Sequence, residues 1–193
     1  MAGRRACTGL ALAAVALSAA GCGIGGSTKT VTILRTRTIT VTTTRTVTRP
    51  SSSGGLCTGA QLSGTFSVVP GSGGAGQIAY TLTLSNTSQT ACSISGLPVA
   101  TLLDTSGSPL PTHVTGSVRT SPLINVAPGG SVTATARFSP SVPGSGDSQS
   151  GACQPKAHTL QVTPQGGGTV DAPIKPPTSV CEQGALDFSN YSR

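Results

Sequence analysis

From Leu56 onward, apolar and polar residues alternate in short segments, and this period of two is typical of half-buried β-strands. In the clearest segment, Ile78, Tyr80, Leu82 and Leu84 occupy every second position. Glycine-rich and Pro-Gly turns separate such segments, and none has the period of an amphipathic helix. The pattern predicts roughly nine strands, over 61–69, 77–86, 99–103, 114–118, 123–126, 132–138, 160–162, 170–174 and 185–188.

The predicted strands form one all-β domain over residues 57–193. About 137 residues follow Leu56, which is enough for one hydrophobic core. Short strands at this spacing predict a two-sheet antiparallel β-sandwich with an immunoglobulin-like layout. An antiparallel barrel is the alternative. The Gly/Ser/Pro-rich stretch 139–150 predicts a mobile surface loop.

The charge of the chain is unevenly distributed. The formal net charge is +7, which by itself would suggest a nucleic-acid partner. Residues 57–193 contain five basic and five acidic residues, so the domain is neutral and the excess lies before it. We therefore expect no nucleic-acid partner. A charged fraction of 9%, with 26 Gly and 14 Pro, also argues against a coiled coil.

Residues 1–21 have the layout of an export signal, with Arg4 and Arg5 before a short apolar core. This core is shorter than the ~20 residues of a spanning helix, although an uncleaved anchor is an alternative. The run Leu-Ser-Ala-Ala-Gly-Cys that ends at Cys22 resembles the lipobox of bacterial lipoproteins. The resemblance implies cleavage after Gly21, diacylglycerol on the Cys22 thiol, and a place on the extracellular face of the bacterial cell membrane. The alternative is ordinary cleavage that leaves Cys22 as a free thiol.

Residues 22–56 form a low-complexity Thr/Arg-rich tether. Thr occupies every even position from Thr28 to Thr48 except Leu34, and the odd positions are mostly aliphatic or basic. This alternation predicts extended backbone, and because no turn signal or adjacent partner strand is evident, we expect an open spacer. Its five cations would also attract anionic lipid or wall polymer, and its threonines are potential O-glycan acceptors.

Six cysteines are present, of which Cys7 leaves with the signal and Cys22 takes the lipid. The remaining four are Cys57, Cys92, Cys153 and Cys181. An even number of cysteines in an exported domain predicts disulfides, here two.

The predicted hairpins indicate how these cysteines pair. The hairpin of 61–69 and 77–86 turns around a point next to the midpoint between Cys57 and Cys92. The hairpin of 160–162 and 170–174 turns around Gly167, the midpoint between Cys153 and Cys181. We therefore favour Cys57–Cys92 and Cys153–Cys181 over the two other connectivities. Each bond closes a loop of about 30 residues, worth roughly 3.5 kcal/mol in the chain-entropy model.

A series of short motifs runs through the domain in a fixed order. They are Cys57-Thr-Gly-Ala-Gln-Leu62, Leu84-Ser-Asn-Thr-Ser88, Cys92-Ser-Ile-Ser-Gly96-Leu-Pro98, Ala127-Pro-Gly129, Leu160-Gln-Val-Thr-Pro164, and Cys181 before Gly184-Ala-Leu186. In this order they resemble domain of unknown function 4232, found in secreted and lipid-anchored bacterial proteins. The resemblance covers about 57–190. It implies an exported β-sandwich-like domain and supplies no activity.

Catalytic, cofactor and metal motifs are mostly missing from the sequence. The pattern G-x-G-x-x-G at 71–76 precedes a predicted strand, whereas a dinucleotide site needs a helix there, so we expect a hairpin loop and no cofactor. No nucleophile motif is present, and His113 and His158 are predicted to be exposed strand-end residues. The cysteines lack C-x-x-C spacing, so we expect no metal site.

These observations favour a non-enzymatic, lipid-anchored cell-surface module that binds a protein, glycan or wall polymer through its loops. One alternative is an exported hydrolase or wall-modifying enzyme that uses His113 or His158. Another is a carrier of a small ligand or a metal.

Overall fold

The computed structural model describes residues 27–33, 37–43, 54–117 and 121–193, with side chains described in the last two ranges. The predicted leader and the lipobox at Cys22 lie outside the described residues. The described part divides into a hairpin before Arg49 and a domain after Pro50. Among the described residues, no helix has the length and apolar character that a bilayer span requires.

The described chain is all-β, as predicted, with only two short helical turns, Gly59–Gln61 and Cys181–Gly184. The strands are β1 Ser27–Ile33, β2 Arg37–Thr43, β3 Leu62–Val68, β4 Ile78–Asn86, β5 Cys92–Ile94, β6 Ala100–Leu103, β7 His113–Gly116, β8 Ile124–Val126, β9 Ser131–Phe138, β10 Ala157–Val162, β11 Val170–Thr178 and β12 Ala185–Phe188.

The tether contains a hairpin rather than the open chain expected from its sequence. Strands β1 and β2 pair antiparallel, with Ser27 opposite Thr43 and Ile33 opposite Arg37. The register places Thr28, Thr30 and Thr32 opposite other threonines. The extended backbone was therefore predicted correctly, but the pairing was not, because β-branched residues favour strands whether or not a turn motif joins them.

The domain is built on one eight-stranded sheet, in the order β6-β10-β11-β3-β4-β9-β12-β7. The sheet is mixed, because β11 pairs with β3 and β12 pairs with β7 in parallel, whereas every other neighbouring pair is antiparallel. An antiparallel layout in two separate sheets was expected. The difference arises because β11 departs from the register with β10 between Pro173 and Thr178 and there pairs with β3, where Ile174 lies opposite Phe66.

The two edge strands of this sheet are joined by the segment 108–112, so the sheet nearly closes into a barrel. Leu110 N–H donates to the Leu102 carbonyl at 2.8 Å, and Leu102 N–H donates to the Thr112 hydroxyl at 2.8 Å. The chain then leaves β6 and becomes β7, which pairs with β12 on the other edge.

The core lies inside this curved sheet and contains a cluster of four aromatic rings. Phe66 lies 5.2 Å from Tyr80 and 6.1 Å from Phe188, and Tyr80 lies 5.2 Å from Phe138, measured between ring centroids. These separations are typical of favourable tilted ring contacts. Both predicted disulfides border the core, since all four cysteines are buried and Cys57–Cys92 and Cys153–Cys181 are formed.

A second, two-stranded sheet is formed by β5 and β8. In this sheet Cys92 lies opposite Val126. Strand β5 also bonds the segment that enters the domain, because Ser93 N–H donates to the Gly55 carbonyl and the Ser93 carbonyl accepts from Cys57 N–H. The first disulfide therefore fixes the start of the domain onto β5.

Candidate binding cleft

A polar cleft of about 640 Å³ lies at one end of the sheet, where β7 begins and β12 is preceded by a tight turn. Its lining residues come from three separate segments, namely Pro111, Thr112, His113, Gly144, Ser145, Glu182 and Gln183. The volume lies within the range of small-molecule sites. Among its lining residues, Glu182 carries the formal negative charge and none is Lys or Arg.

The turn that forms one wall has an uncommon backbone. Glu182 and Gln183 have φ of 56° and 55°, in the left-handed region that non-glycine residues seldom occupy. Such a conformation persists only when neighbouring structure holds it. Here the turn follows Cys181, which is covalently bound to Cys153.

Asp147 supplies a further restraint on this turn. Its carboxylate accepts hydrogen bonds from the backbone N–H groups of Glu182 and Gln183, and from Gly144 N–H at 2.9 Å. The Gln154 side-chain amide donates to it at 2.8 Å. Successive backbone N–H groups in a turn form an anion-binding concavity, and here a carboxylate from the same chain occupies it.

Hydrogen bonds and the disulfide also restrain the stretch 139–150, which was expected to be a mobile surface loop. Ser139 and Asp147 are buried, and the Ser139 carbonyl accepts from Cys181 N–H at 2.8 Å. The Gln154 carbonyl, just beyond the stretch, accepts from the Ser179 hydroxyl at 2.8 Å. The stretch lies mostly at the surface, as expected, and it is held by residues about 35 positions away, which its composition does not reveal.

The two histidines, both candidate site residues, lie in different places. His113 is exposed at the start of β7 and lines the cleft, together with Ser145 and Glu182. His158 is half-buried within β10, where the register with β11 shifts between Ala157 and Thr159. The strand-end prediction is therefore confirmed for His113 and is wrong for His158. The cleft unites His113 with a hydroxyl and a carboxylate, which no sequence spacing indicated.

A group of metal-ligand types is also brought together beside the cleft. One ligand atom each of Asp147, Cys153 and Cys181 lies within 4.8 Å of the others. Both sulfur atoms are bonded to each other, however, and the Asp147 oxygens already accept hydrogen bonds. The donor set is thus engaged internally, and it does not fit a metal ion in this oxidised state.

Comparison with known families decides the assignment of the domain. The family model for domain of unknown function (DUF4232) matches residues 57–191. The chain belongs to the DUF4232 family. No curated protein and no solved structure matches it.

The DUF4232 motifs quoted above occupy restraining positions in this fold. Asn86 is buried, and its side chain bonds the backbone of the turn at Ser88 and Thr90 and that of Val126 in β8. Gly96 has a φ of 78°, and its carbonyl accepts from Tyr191 N–H at 3.0 Å. Gly129 N–H and the Gly130 carbonyl bond the backbone of Asn86. Asn86, Gly96, Gly129 and Gly130 therefore stabilise the fold of the DUF4232 domain, and none of these four residues lines the cleft.

Acidification is expected to lower the free energy of unfolding of the DUF4232 domain, because it protonates Asp147. The Gln154 amide and the three backbone N–H groups lower the pKa of its carboxyl from an ordinary value near 3.8 to about 2. Because the pKa is depressed in the folded state, the stabilisation is complete above pH 4 and is lost as the pH falls toward 2. The urea midpoint of the wild type should therefore exceed that of Asp147→Asn most at neutral pH.

The difference between the two midpoints should shrink between pH 4 and pH 2. Asp171→Asn is a matched control, since Asp171 is exposed and accepts one side-chain hydrogen bond, from Gln161 at 3.1 Å. A midpoint difference for Asp147→Asn that stays constant from pH 7 to pH 2 would contradict this role of the carboxylate.

Proposed function

We propose that the chain is a non-enzymatic, lipid-anchored cell-surface module that binds a protein, glycan or wall polymer. The observation that carries the proposal is the construction of the cleft. A disulfide and the Asp147 carboxylate hold a loop and a left-handed turn in fixed positions around it. Loops held in one conformation lose little entropy on binding, which suits a recognition surface.

The proposed anchor is diacylglycerol on Cys22, exposed after removal of residues 1–21. Two acyl chains at ~0.8 kcal/mol per buried methylene would hold the protein stably on the extracellular face of the membrane. The tether over 22–56 would then separate the domain from the bilayer. The neutral balance of residues 57–193 supports an uncharged or mixed partner rather than nucleic acid.

We further propose that the eight-stranded sheet folds over on itself, so that its two halves pack face to face as the two layers of a β-sandwich. Strands β6, β10 and β11 would form one layer, and β3, β4, β9, β12 and β7 the other. Supporting this division, β11 and β3 are joined by a parallel ladder of two residue pairs, Ile174 with Phe66 and Lys175 with Ser67, whereas the other parallel ladder of the described sheet, β12 with β7, has four pairs.

The alternative of an exported hydrolase would use the same cleft. It draws support from His113, Ser145 and Glu182, which line that cleft together. Among the described residues, no hydrogen bond joins these three side chains, whereas nucleophilic catalysis needs a base bonded to the nucleophile. The geometry thus favours binding over catalysis. A small-ligand carrier would use this cleft too, and a metal carrier would need the thiols of the second disulfide.

The test is the intact mass of the protein isolated from its own cell envelope, with and without reduction. We expect loss of residues 1–21, an added diacylglycerol, and a gain of four hydrogens on reduction of the two disulfides. Cys22→Ser should abolish the lipid and release the protein, whereas Cys7→Ser, within the leader, should change neither. An unlipidated wild-type protein, or free thiols among the last four cysteines, would contradict the proposal.

A further inference from the structure

The outward side of β3, β4 and β9, together with the residues that follow β12, carries a set of hydroxyl groups, which we call the hydroxyl face. Its members alternate along the strands with buried core residues such as Phe66, Leu82 and Ala134. Every member is exposed or half-buried. The hydroxyl face consists of Ser63, Thr65, Ser67, Thr81, Thr83, Ser85, Ser131, Thr133, Thr135, Ser189 and Ser192.

The strand register arranges these hydroxyls in rows across the sheet. The central row runs from Thr65 through Thr83 and Thr133 to Ser192. The row beside it runs through Ser67, Thr81 and Thr135, whose N–H donates to the Ser189 hydroxyl at 2.9 Å. A third row holds Ser63, Ser85 and Ser131. Neighbours within a row are ~4.8 Å apart, and successive rows are ~6.7 Å apart.

Many of these hydroxyls have no partner within the protein. Ser85 and Ser131 bond each other at 2.8 Å. By contrast, among the described residues the hydroxyls of Thr65, Thr81, Thr83 and Thr135 form no hydrogen bond. Each can both donate and accept, so the face offers a grid of two-way hydrogen-bonding groups.

The absence of charge from the hydroxyl face is unusual for an exposed sheet, which normally mixes Lys, Glu and Arg with other polar residues. The charged pair Arg137 and Asp187 lies opposite each other at one end, outside the three rows. The outward positions of β11 differ, since they include Asp171 and Lys175. The hydroxyl rows are therefore bordered by charged positions on the side of β11.

We propose that the hydroxyl face binds an uncharged, hydroxyl-rich polysaccharide. This inference rests on the proposed surface location and places the contact on a strand face rather than on loops. A neutral glycan carries hydroxyls that also donate and accept, and neither surface has to desolvate a charge. An extended glycan that crosses the strands would meet one hydroxyl per strand, because its rise per sugar is comparable with the strand spacing.

Two other partners fit the hydroxyl face less well. An anionic polymer would need cations, and the three rows contain none. An ordered water lattice such as ice would need a flat array, whereas strands in a nearly closed sheet are twisted relative to one another. A flexible polymer chain can follow that twist.

The experiment measures co-sedimentation of the full chain with insoluble chitin, cellulose and mannan, at high salt so that the tether cations are screened. The test variant combines Thr65→Val, Thr81→Val, Thr83→Val and Thr135→Val, which are nearly isosteric and leave no partner unsatisfied. We expect the wild type to bind at least one glycan and the variant to bind it at least about tenfold more weakly. Binding should be insensitive to salt.

The matched control is Thr101→Val with Thr159→Val, on strands β6 and β10 outside the hydroxyl face, and it should bind as the wild type does. If the quadruple variant does not fold, as shown by the lack of a cooperative unfolding transition, co-sedimentation is measured instead with the single variant Thr83→Arg. This change lies in the centre of the grid and should abolish glycan binding. The inference is overturned if the wild type binds none of the three glycans, if the variants bind normally, or if the protein instead shapes ice crystals. A lipidated, surface-displayed protein that binds no glycan would leave the proposed function standing and remove only this inference.

Discussion

Replacing Asn86 with alanine is expected to lower the free energy of unfolding by about 4 kcal/mol. Asn86 is fully buried at the end of β4, with 0% of its surface exposed. Its side-chain amide donates to the Thr90 carbonyl at 2.8 Å and to the Val126 carbonyl at 3.0 Å. Its oxygen accepts from the N–H and hydroxyl of Ser88, at 3.0 and 2.7 Å. Alanine would remove one buried and three partly buried hydrogen bonds, and a buried polar group that loses its partner costs about 1–3 kcal/mol.

The measurement is the midpoint of urea-induced unfolding, followed by circular dichroism. Asn125→Ala is the matched control, because Asn125 is half-buried and its side chain makes no hydrogen bond with any described residue. We expect that control to lie within about 0.5 kcal/mol of the wild type. Equal losses in the two variants would show that the Asn86 network does not stabilise the fold.

The second large effect is expected for Gly184→Ala, at about 3 kcal/mol or more. Gly184 has a φ of 80°, and a Cβ there would overlap the backbone carbonyl of Pro111. Neither group can move freely, because Gly184 follows the turn at Glu182 and Pro111 lies in the segment that joins the two sheet edges. The change would push apart two walls of the cleft.

Gly107→Ala separates this steric effect from the cost of the backbone conformation. Gly107 has nearly the same φ, 81°, but nothing lies within 4 Å of the position of an added Cβ. We expect a loss of only about 1 kcal/mol, the ordinary cost of a left-handed alanine. The measurement is thermal unfolding. An equal loss of stability in both variants would show that the close approach of Gly184 to Pro111 does not determine the effect of the substitution.

Local alternation was sufficient to locate the strands that bury one face. The predicted segment at 77–86 corresponds to β4, and Leu82 and Leu84 are buried as the pattern requires. The hairpin geometry was also sufficient for the disulfide pairing, because the β3–β4 register centres on the same residues as the Cys57–Cys92 pair. Strand β5 was missed, since Cys92–Ile94 is buried at all three positions and shows no alternation.

The remaining features depend on contacts between residues distant in the chain. The parallel pairing of β12 with β7 joins residues about 70 positions apart, and no local period encodes it. The same holds for Asp147, whose environment in a Gly/Ser-rich stretch gave no sign of its partners at Glu182 and Gln183. The cleft could not be predicted because it exists only where these distant segments meet.

Each of the two glycine-rich hairpin turns is enclosed by a disulfide, which affects how the domain responds to proteases outside the cell. The turn at 71–76 lies between Cys57 and Cys92, and the turn at 166–168 lies between Cys153 and Cys181. Exposed turns of this kind are where proteases cut folded domains. A cut in either turn would open the chain without separating the pieces, since a disulfide bridges the break. The domain can thus be nicked at both turns and still remain one covalent molecule until it is reduced.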